Sequence, residues 1–442
     1  MIRPRSPRPA RKPDGAELEL TIEKIVPGGD GLARHAGQVV FVPHTAPGDR
    51  IRAQVTATHG SFLRAQCLAI LAPGPQTVDP GCERFGQCGG CQLRRLPAHV
   101  QNQLKTGFVQ EGLVRIAHLD PAAILQPLLA AEQTDGYRRR ALFRARMEGQ
   151  KVALGFLAEG SDTLVDLTTC PVLEPRLNAL LAPLRETIAA FTTPEQIQAV
   201  EAVAGDHGMG VIFHLLQSPS GHDKDAMRDF AQRTGVHQLW VGDRRPGRFS
   251  PLVTDHPLTY AADGFAFGFH PGDFIQVHAG QNRRMIEACM AMAGNGATAW
   301  DLYCGIGNFT LPLSRRFRRV TGVESQAGAL ARARKNLTAN RVANVTGLRL
   351  DLSDAARLHA IAASREADLV LLDPPRSGAA EVCRQLADAG PRRLLYVSCD
   401  PATFARDADI LVQGGYRLER VCPIDLFPQT RHVEIMAVLE RG

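Results

Sequence analysis

A cysteine, an aspartate and two glycines lie where strands of an open sheet are predicted to end. Cys399 closes one apolar run, and Asp373 closes another 26 residues upstream. A third apolar run leads into a tight turn at Gly305 and Gly307. Open α/β sheets bind their ligands beyond the carboxyl ends of the strands. The pattern therefore predicts covalent catalysis by a thiol beside a bound nucleotide-like cofactor.

The strands that must position these residues begin at about Gly272. From there apolar runs alternate with helical segments, which predicts a parallel sheet covered on both faces. The second strand ends in Glu324, about 20 residues past the glycines, where an acid accepts ribose hydroxyls. The third ends in Asp351, placed to bond an adenine. Thr310 replaces the third glycine of the NAD fingerprint, which favours S-adenosylmethionine because that cofactor has a ribose but no pyrophosphate.

Four cysteines form a predicted metal site. Cys82, Cys88 and Cys91 lie among glycines that let the backbone wrap tightly, so their thiolates could face one centre. The predicted fourth ligand is Cys170, which is remote in sequence but also lies in a turn-like setting. Structural zinc favours cysteines paired about two to four residues apart, whereas irregular spacing suits an iron–sulfur cluster. We therefore expect a structural [4Fe–4S] cluster, with zinc as the alternative.

The N-terminal part of the chain is predicted to be a small β-barrel. Residues 18–71 contain short strands separated by glycine turns. Leu18, Leu20 and Ile22 alternate with polar residues, so one face should be buried. The segment resembles the TRAM domain, an OB-like barrel found on RNA-modifying enzymes; the alternative is a barrel that serves only as a structural appendage. The Arg- and Pro-rich tail, residues 1–16, is expected to be disordered.

The charge is concentrated in the first third of the chain. Residues 1–150 carry 20 Lys and Arg against 13 Asp and Glu, whereas the other 292 carry 31 against 32. A basic front part on a neutral back part indicates a polyanion bound in front of a catalytic domain. Five arginines lie between Arg138 and Arg146, beside Tyr137 and Phe143, a pattern that suits phosphate contact combined with base stacking.

The composition excludes several classes of protein. The chain has 442 residues, of which 44% are hydrophobic and 22% charged, as in a globular protein of two or three domains. No apolar run reaches the roughly 18 residues that a membrane helix needs. Ten cysteines are too few for a disulfide scaffold. We expect a cytoplasmic monomer that binds RNA and no membrane, because no secretory signal precedes the barrel.

Five motifs together resemble a known enzyme family. They are FIQV at 274–277, DLYCGIGNFT at 301–310, LDPPRSG at 372–378, VSCDP at 397–401 and HVE at 432–434. The chain is similar to the S-adenosylmethionine-dependent RNA uracil-C5 methyltransferases, most closely the branch with a TRAM domain and a [4Fe–4S] cluster that acts on 23S rRNA. His278 stands where asparagine is common, and the Asp-Pro-Pro-Arg form also occurs in the tRNA-acting branch.

The resemblance implies roles for particular residues. It implies that Cys399 is the nucleophile, a role that requires its surroundings to lower the thiol pKa, and that Glu434 is the general base. Independently of the resemblance, we expect Arg376 and the basic front part of the chain to hold the RNA phosphates. The residues implied to contact the cofactor or the uracil are Gln276, Tyr303, Asn308, Glu324, Asp351 and Asp373.

The expected architecture is α/β with three folded domains. A TRAM-like, OB-like barrel covers 17–75, a central α+β iron–sulfur domain covers 76–270, and a Rossmann-like methyltransferase domain covers 271–442. The helical segment 93–125 could pack on the last of these. The predicted function is methylation of carbon 5 of a uridine in 23S rRNA. The alternatives are the same chemistry on tRNA and a non-catalytic RNA-binding or ribosome assembly factor.

Overall fold

The computed structural model describes residues 15–242, 249–354, 361 and 364–442. The predicted disordered tail lies outside the described residues apart from positions 15 and 16. The chain divides into two compact units. The first comprises residues 1–108, 157–162 and 428–431, and the second comprises 109–156, 163–427 and 432–442. In the described residues, no helix combines the length and the apolar character needed to cross a bilayer.

The first unit contains one six-stranded sheet with the order β1-β5-β6-β4-β3-β2. Its strands are β1 (Glu17–Thr21), β2 (Lys24–Ile25), β3 (Gly31–His35), β4 (Gln38–Val42), β5 (Arg50–Thr58) and β6 (Phe62–Ala72). Leu20 and Ile22 are buried, as the alternating pattern predicted, and Leu18 is partly buried. Strand β3 was not predicted, because polar Arg34 and His35 break its apolar pattern.

A buried ion pair closes this sheet against the segment that follows it. Asp49 is fully buried, and its carboxylate accepts hydrogen bonds from the amides of Ala46 at 2.7 Å and Gly74 at 2.8 Å. Arg95 donates to the same carboxylate at 2.5 Å. A buried carboxylate with three donors is well compensated for its lost hydration.

The second unit contains a central sheet with the order β13-β12-β11-β10-β7-β8-β9. Its strands are β7 (Arg140–Glu148), β8 (Lys151–Leu157), β9 (Leu164–Asp166), β10 (Ile197–Gly205), β11 (Gly208–Leu215), β12 (Val236–Gly242) and β13 (Phe249–Thr254). Three helices pack on one face: α2 (Pro175–Asn178), α3 (Leu181–Ala189) and α4 (Gly221–Thr234). Helix α1 (Ala98–Arg115) precedes this sheet, and β14 (Leu258–Ala262) and β15 (Phe265–Phe269) form a hairpin after it.

The C-terminal sheet, residues 296–441, has the order β18-β17-β16-β19-β20-β22-β21. Its strands are β16 (Gly296–Leu302), β17 (Phe317–Glu324), β18 (Val345–Arg349), β19 (Leu369–Leu372), β20 (Arg393–Ser398), β21 (Tyr416–Ile424) and β22 (Glu434–Arg441). The helices are α5 (Ala279–Ala293), α6 (Thr310–Leu313), α7 (Ala327–Ala339), α8 (Ala380–Ala389) and α9 (Pro401–Gln413). The pairs from β18 to β20 are parallel, as predicted.

Strand β19 shows that both faces of this sheet are covered. Leu369 and Leu371 join a core that includes Met285 of α5, whereas Val370 and Leu372 join the core on the other face with α8 and α9. A continuous apolar strand is expected when both faces are buried. Strand β22 runs antiparallel to β20, so its first residue lies at the edge where the parallel strands end.

Candidate active site

Cys399 and Glu434 lie opposite each other at the edge of the C-terminal sheet where its parallel strands end. Cys399 directly follows β20, and Glu434 is the first residue of β22. The antiparallel register places Ser398 opposite Ile435, so the next pair along is Cys399 and Glu434. Residues directly opposite in such a ladder have Cα atoms about 4.5–5.5 Å apart. The chain reversal between β21 and β22 therefore brings together a thiol and a carboxyl group that are 35 residues apart.

The surroundings of Cys399 oppose ionisation of its thiol. Burial, followed by the neighbouring Glu434 carboxylate, raises the pKa of Cys399 to about 11. Arg376 acts in the opposite direction, because its positive charge favours the thiolate. The nucleophilic role was expected to require a lowered thiol pKa, and the free protein does not meet that condition.

Two carboxyl groups flank the thiol. Glu434 is 3% exposed, and burial together with the charge of Asp373 raises its pKa well above the usual range. Asp373 follows β19, and burial raises its pKa to about 7. A carboxyl group with a raised pKa is a stronger base once it is ionised, which suits proton removal near neutral pH.

The loop 373–378 between β19 and α8 is anchored by Asp407 of α9. Asp407 is fully buried, and its carboxylate accepts hydrogen bonds from the amide of Ala379 at 2.6 Å and the hydroxyl of Tyr396 at 2.7 Å. Arg406 donates to the same carboxylate at 2.8 Å and to a loop carbonyl at 2.9 Å. Loop 373–378, which carries Asp373, is therefore fixed by α9 and β20 together.

The glycine turn that follows β16 has a strained backbone. The φ angles are 68° at Tyr303, 55° at Gly305 and 98° at Gly307, and a positive φ is costly for a residue with a side chain. A Cβ atom at Gly305 would meet nothing within 4 Å, whereas one at Gly307 would lie 2.7 Å from Leu311. The turn therefore packs closely on one side and leaves its backbone open to a ligand at Gly305.

Acidic residues line the two strands beside this turn. Glu324 ends β17, and its carboxylate accepts the amide of Gly305 at 3.1 Å. Asp301 is 1% exposed, and one of its carboxylate oxygens accepts the hydroxyl of Thr310 at 2.5 Å. The other oxygen has no hydrogen-bond partner among the described residues. Burial raises the pKa of Asp301 to about 7, although the Thr310 bond opposes this shift.

Asn308 is held by side chains from two other elements. Its Oδ1 accepts hydrogen bonds from the Tyr260 hydroxyl at 2.9 Å and from Asn282 at 3.0 Å. Its side-chain Nδ2 donates to Oδ1 of Asn282 at 3.0 Å. Asn308 thus joins the glycine turn to β14 and α5.

Gln276 and Asp351 occupy different environments. Gln276 is 8% exposed and precedes α5. Asp351 lies two residues beyond β18 and is exposed. Its Oδ1 accepts hydrogen bonds from the amide and the hydroxyl of Ser353, at 2.9 and 2.7 Å.

His278 provides the N-cap of α5. Its Nδ1 accepts the amide of Gln281 at 3.3 Å, and its Nε2 lies 3.0 Å from the carbonyl oxygen of Gln133. These contacts require a neutral ring with the proton on Nε2. The ring stacks on Tyr137 at 4.7 Å, and burial lowers its pKa. Asparagine is also a preferred N-cap residue, which explains how histidine can occupy this position.

The aromatic residues of the arginine-rich run are not available for base stacking. Tyr137 is 4% exposed, and Phe143 is fully buried in the core of the central sheet. The prediction of stacking is wrong for them, because strand alternation turns Phe143 inward. Arg144 and Arg146 lie on the exposed side of β7, whereas Arg139 is 3% exposed.

The predicted cysteine ligands lie on turns. Cys82, Cys88 and Cys91 are partly exposed, and the amide of Gly90 lies 3.4 Å from the sulfur of Cys88. The amide of Cys170 donates to Asn178 at 2.8 Å. All ten cysteines lie within the described residues, and none forms a disulfide. In the part of the chain that the structure describes, no three His, Cys, Asp or Glu side chains are arranged to hold a metal ion.

Sequence reasoning missed several residues around the glycine turn. Tyr260, Asn282 and Arg139 support the site from separate elements, and only folding shows that they meet. Asp301 and Phe274 lie within the quoted motifs and could have been singled out. Phe274 is 73% exposed, an unusual state for an aromatic residue two positions from a buried glutamine.

Comparison with known proteins identifies the family. The model of the tRNA (uracil-5-)-methyltransferase family matches residues 113–442, and the TRAM domain model matches 11–68. The chain belongs to the RNA uracil-C5 methyltransferase family. This confirms the resemblance that the five motifs carried and the TRAM assignment of the barrel. The chain is therefore an enzyme, and the non-catalytic alternative is not supported.

Relatives match the methyltransferase over almost its whole length. A 23S rRNA (uracil(1939)-C(5))-methyltransferase RlmD from Edwardsiella ictaluri is 38% identical, with 96% of this chain and 95% of the relative covered. The protein of the same name from Thiobacillus denitrificans is 37% identical, with coverages of 93% and 97%. The structure of Pyrococcus abyssi tRNA (uracil-54, C5)-methyltransferase in complex with S-adenosyl-L-homocysteine matches with a TM-score of 0.72 at 22% identity. It covers 96% of this chain and all of that one, and so shows the shared fold.

Proposed function

We propose that this methyltransferase transfers a methyl group from S-adenosylmethionine to carbon 5 of a uridine in 23S rRNA. The observation that carries the proposal is the pairing of Cys399 with Glu434 at the carboxyl edge of the C-terminal sheet. The names of the full-length relatives support ribosomal RNA as the substrate. Such a substrate also supports the expected cytoplasmic location.

Cys399 makes carbon 5 of the uracil nucleophilic. Its thiolate adds to carbon 6, a carbon–sulfur bond forms, and the displaced electron pair moves to the carbonyl oxygen at carbon 4 as an enolate. S-adenosylmethionine would supply an electrophilic methyl group to carbon 5 of this enolate. The raised pKa of Cys399 in the free protein means that thiolate formation has to accompany RNA binding.

Glu434 completes the reaction by removing the proton from carbon 5. The electrons of that bond restore the double bond between carbons 5 and 6, and the carbon–sulfur bond breaks to release the thiolate. Glu434 is suited to this step because it is buried beside Cys399 and its pKa is raised. Arg376 lowers the pKa of both groups by its charge, which stabilises their ionised forms.

The glycine turn and the surrounding polar groups fit an S-adenosyl cofactor. The open backbone at Gly305 admits a ligand, and Glu324 at the end of β17 suits ribose hydroxyls. The residues proposed to hold the cofactor or the uracil are Gln276, Tyr303, Asn308, Glu324, Asp351 and Asp373. The unpartnered oxygen of Asp301 indicates a polar ligand on this side of the turn, because buried oxygens are normally bonded.

The exposed arginines of β7 are proposed to contact the RNA backbone. Arg144 and Arg146 lie on the exposed side of the strand, where cations can pair with phosphates. The target base has to leave its stack before its carbon 6 can reach Cys399, so base flipping is expected.

A structural [4Fe–4S] cluster bound by Cys82, Cys88, Cys91 and Cys170 is also proposed. Three of these thiols lie in one loop, residues 82–91, and the amide of Gly90 is directed at the sulfur of Cys88, as is common around metal-bound sulfur.

Iron and sulfide analysis tests the cluster. The anaerobically purified protein should be brown and contain about four iron atoms per chain. Cys88→Ser should lose this iron, whereas Cys67→Ser should keep it, because Cys67 is a partly buried cysteine of β6 in the same unit. A colourless protein that contains zinc would show that the metal assignment is wrong.

Methyl transfer to defined RNAs tests the function. Wild-type protein and labelled S-adenosylmethionine should label carbon 5 of one uridine in 23S rRNA from a strain that lacks the enzyme. Cys399→Ala should reduce labelling by roughly 10³-fold or more. The family description and the fold neighbour favour tRNA as a second candidate. Labelling confined to tRNA would support that candidate, and full activity of Cys399→Ala would exclude the covalent route.

A further inference from the structure

Arg139 differs from the other arginines of its run because it is buried. It lies one residue before β7 and is 3% exposed, whereas Arg144 and Arg146 are exposed. RNA at the protein surface cannot reach a side chain in this position. The role of Arg139 therefore has to be found among its neighbours inside the second unit.

Arg139 holds the segment that precedes α5 by two hydrogen bonds. Its Nε donates to the main-chain carbonyl oxygen of Gln276 at 2.9 Å. Its main-chain N–H donates to the main-chain carbonyl oxygen of Val277, also at 2.9 Å. Gln276 is a proposed cofactor residue, and the cap of α5 follows at His278. Arg139 thus fixes the backbone from which Gln276 projects.

The same guanidinium also reaches the glycine turn through one aromatic ring. Its central carbon lies 4.6 Å from the centroid of the Tyr260 ring, a cation–π distance. The hydroxyl of Tyr260 donates to Asn308 at 2.9 Å. One buried cation therefore supports two proposed cofactor residues, Gln276 and Asn308, which lie on different segments.

The cost of burying this cation indicates a function. Neither Nη1 nor Nη2 of Arg139 has a hydrogen-bond partner among the described residues, and the carboxylate of Asp206 is 3.9 Å away. Burying a charge with so little compensation destabilises a fold. A residue that only filled space would be apolar.

We propose that Arg139 is a positioning residue of the cofactor pocket, which fixes Gln276 and Asn308 for S-adenosylmethionine, and that it does not contact RNA. This inference rests on the proposed use of that cofactor. It also distinguishes Arg139, which is buried and supports the cofactor pocket, from Arg144 and Arg146, which are exposed and are proposed to bind RNA.

Binding of S-adenosylhomocysteine to the full-length protein without RNA tests the proposal by calorimetry. Arg139→Met should weaken binding by about tenfold, equivalent to about 1.4 kcal/mol, and Arg139→Lys should recover part of the loss because it retains a donor for Gln276. Tyr260→Phe should weaken binding by a smaller factor, since it removes only the bond to Asn308. RNA affinity measured without cofactor should stay at the wild-type value in all three variants.

Arg185→Met is the matched control. Arg185 is a partly buried arginine that donates to main-chain carbonyls of the central sheet, but it makes no contact with the 276–278 segment. This variant should have a lower melting temperature than the wild type and should bind S-adenosylhomocysteine with the same affinity. The proposal is overturned if Arg139→Met keeps wild-type cofactor affinity, or if it loses RNA and cofactor affinity in parallel. Failure of the wild type to bind S-adenosylhomocysteine would instead refute the proposed function.

Discussion

At the proposed catalytic residues, burial favours the neutral forms of the thiol and of the two carboxyl groups. Burial raises the pKa values of Cys399, Asp373 and Glu434, and the cation Arg376 opposes the shift on the thiol. A thiol with a pKa of about 11 is only about one part in 10⁴ ionised at pH 7. We therefore expect the cysteine of the free enzyme to react slowly with oxidants and alkylating agents, because only the thiolate is reactive.

Alkylation of Cys399 by iodoacetamide should follow this raised pKa. Because only the thiolate reacts, the rate should rise about tenfold per pH unit from pH 7 and level off near the pKa of about 11. Arg376→Gln removes a cation and should move the midpoint to higher pH. Glu434→Gln removes a nearby negative charge and should move it to lower pH. Mass spectrometry of the Cys399 peptide measures each rate, and a midpoint below 8 in the wild type would contradict the structure.

Glu434→Gln should trap the enzyme on its RNA. Without a base the proton on carbon 5 stays in place, so the carbon–sulfur bond cannot break and the methylated adduct accumulates. A denaturing gel should show a protein–RNA band that disappears when Cys399→Ala is added. Glu440→Gln, in the same strand but paired with Arg393, should turn over like the wild type. Normal turnover by Glu434→Gln would exclude it as the base.

At the scale of strands and helices, the sequence predicted the C-terminal sheet closely. Its long apolar runs allowed the strand ends to be located to within two residues at Leu302 and Glu324. The strand order of the central sheet was not predicted, because this sheet mixes parallel and antiparallel pairs. The burial of Arg139 was equally hidden, since its neighbours Gln276 and Tyr260 are more than 120 residues away.

The N-cap of α5 makes an element-scale prediction. His278→Ala should lower the free energy of unfolding by about 1–2 kcal/mol, because it removes the acceptor for the Gln281 amide. His278→Asn retains an acceptor and should lose only the ring contact with Tyr137, about 0.5 kcal/mol. Urea unfolding at pH 7.5 measures both, and equal losses in the two variants would exclude a capping role.

The same histidine gives a pH dependence of defined sign. Burial lowers the pKa of His278 in the folded protein, whereas the unfolded value is about 6.5. As the pH falls below about 6.5, the unfolded chain binds a proton that the folded chain does not, so wild-type stability falls. His278→Asn lacks this loss of stability at low pH, because asparagine does not titrate. Its stability relative to the wild type should therefore improve between pH 7.5 and 5.5, and an unchanged difference would mean that His278 titrates normally.

At the scale of the whole molecule, the surplus of basic charge lies in the first 150 residues and not in the part of the chain that contains Cys399 and Glu434. Residues 1–150 carry a surplus of 7 positive charges, from 20 minus 13, and the remainder carries a deficit of 1, from 31 minus 32. Asp373 and Glu434 lie in that neutral remainder. Apart from Arg376, the basic residues proposed to bind phosphate thus lie outside the stretch that carries the proposed chemistry, so phosphate binding can be weakened at Arg144 and Arg146 without changing the proposed catalytic groups.

The salt dependence of RNA binding should report the arginines of β7. Each phosphate contact that is lost reduces the slope of log affinity against log salt concentration by about 0.7 for single strands and 0.9 for duplex. Arg144→Gln combined with Arg146→Gln should therefore reduce the slope by about 1.4–1.8, without changing the affinity for S-adenosylhomocysteine. Arg228→Gln combined with Arg233→Gln removes two exposed arginines of α4 that are paired with aspartates, and should leave the slope unchanged. Equal slopes for wild type and the β7 variant would exclude that strand from the RNA interface, because charge on a surface that RNA does not touch releases no counterions.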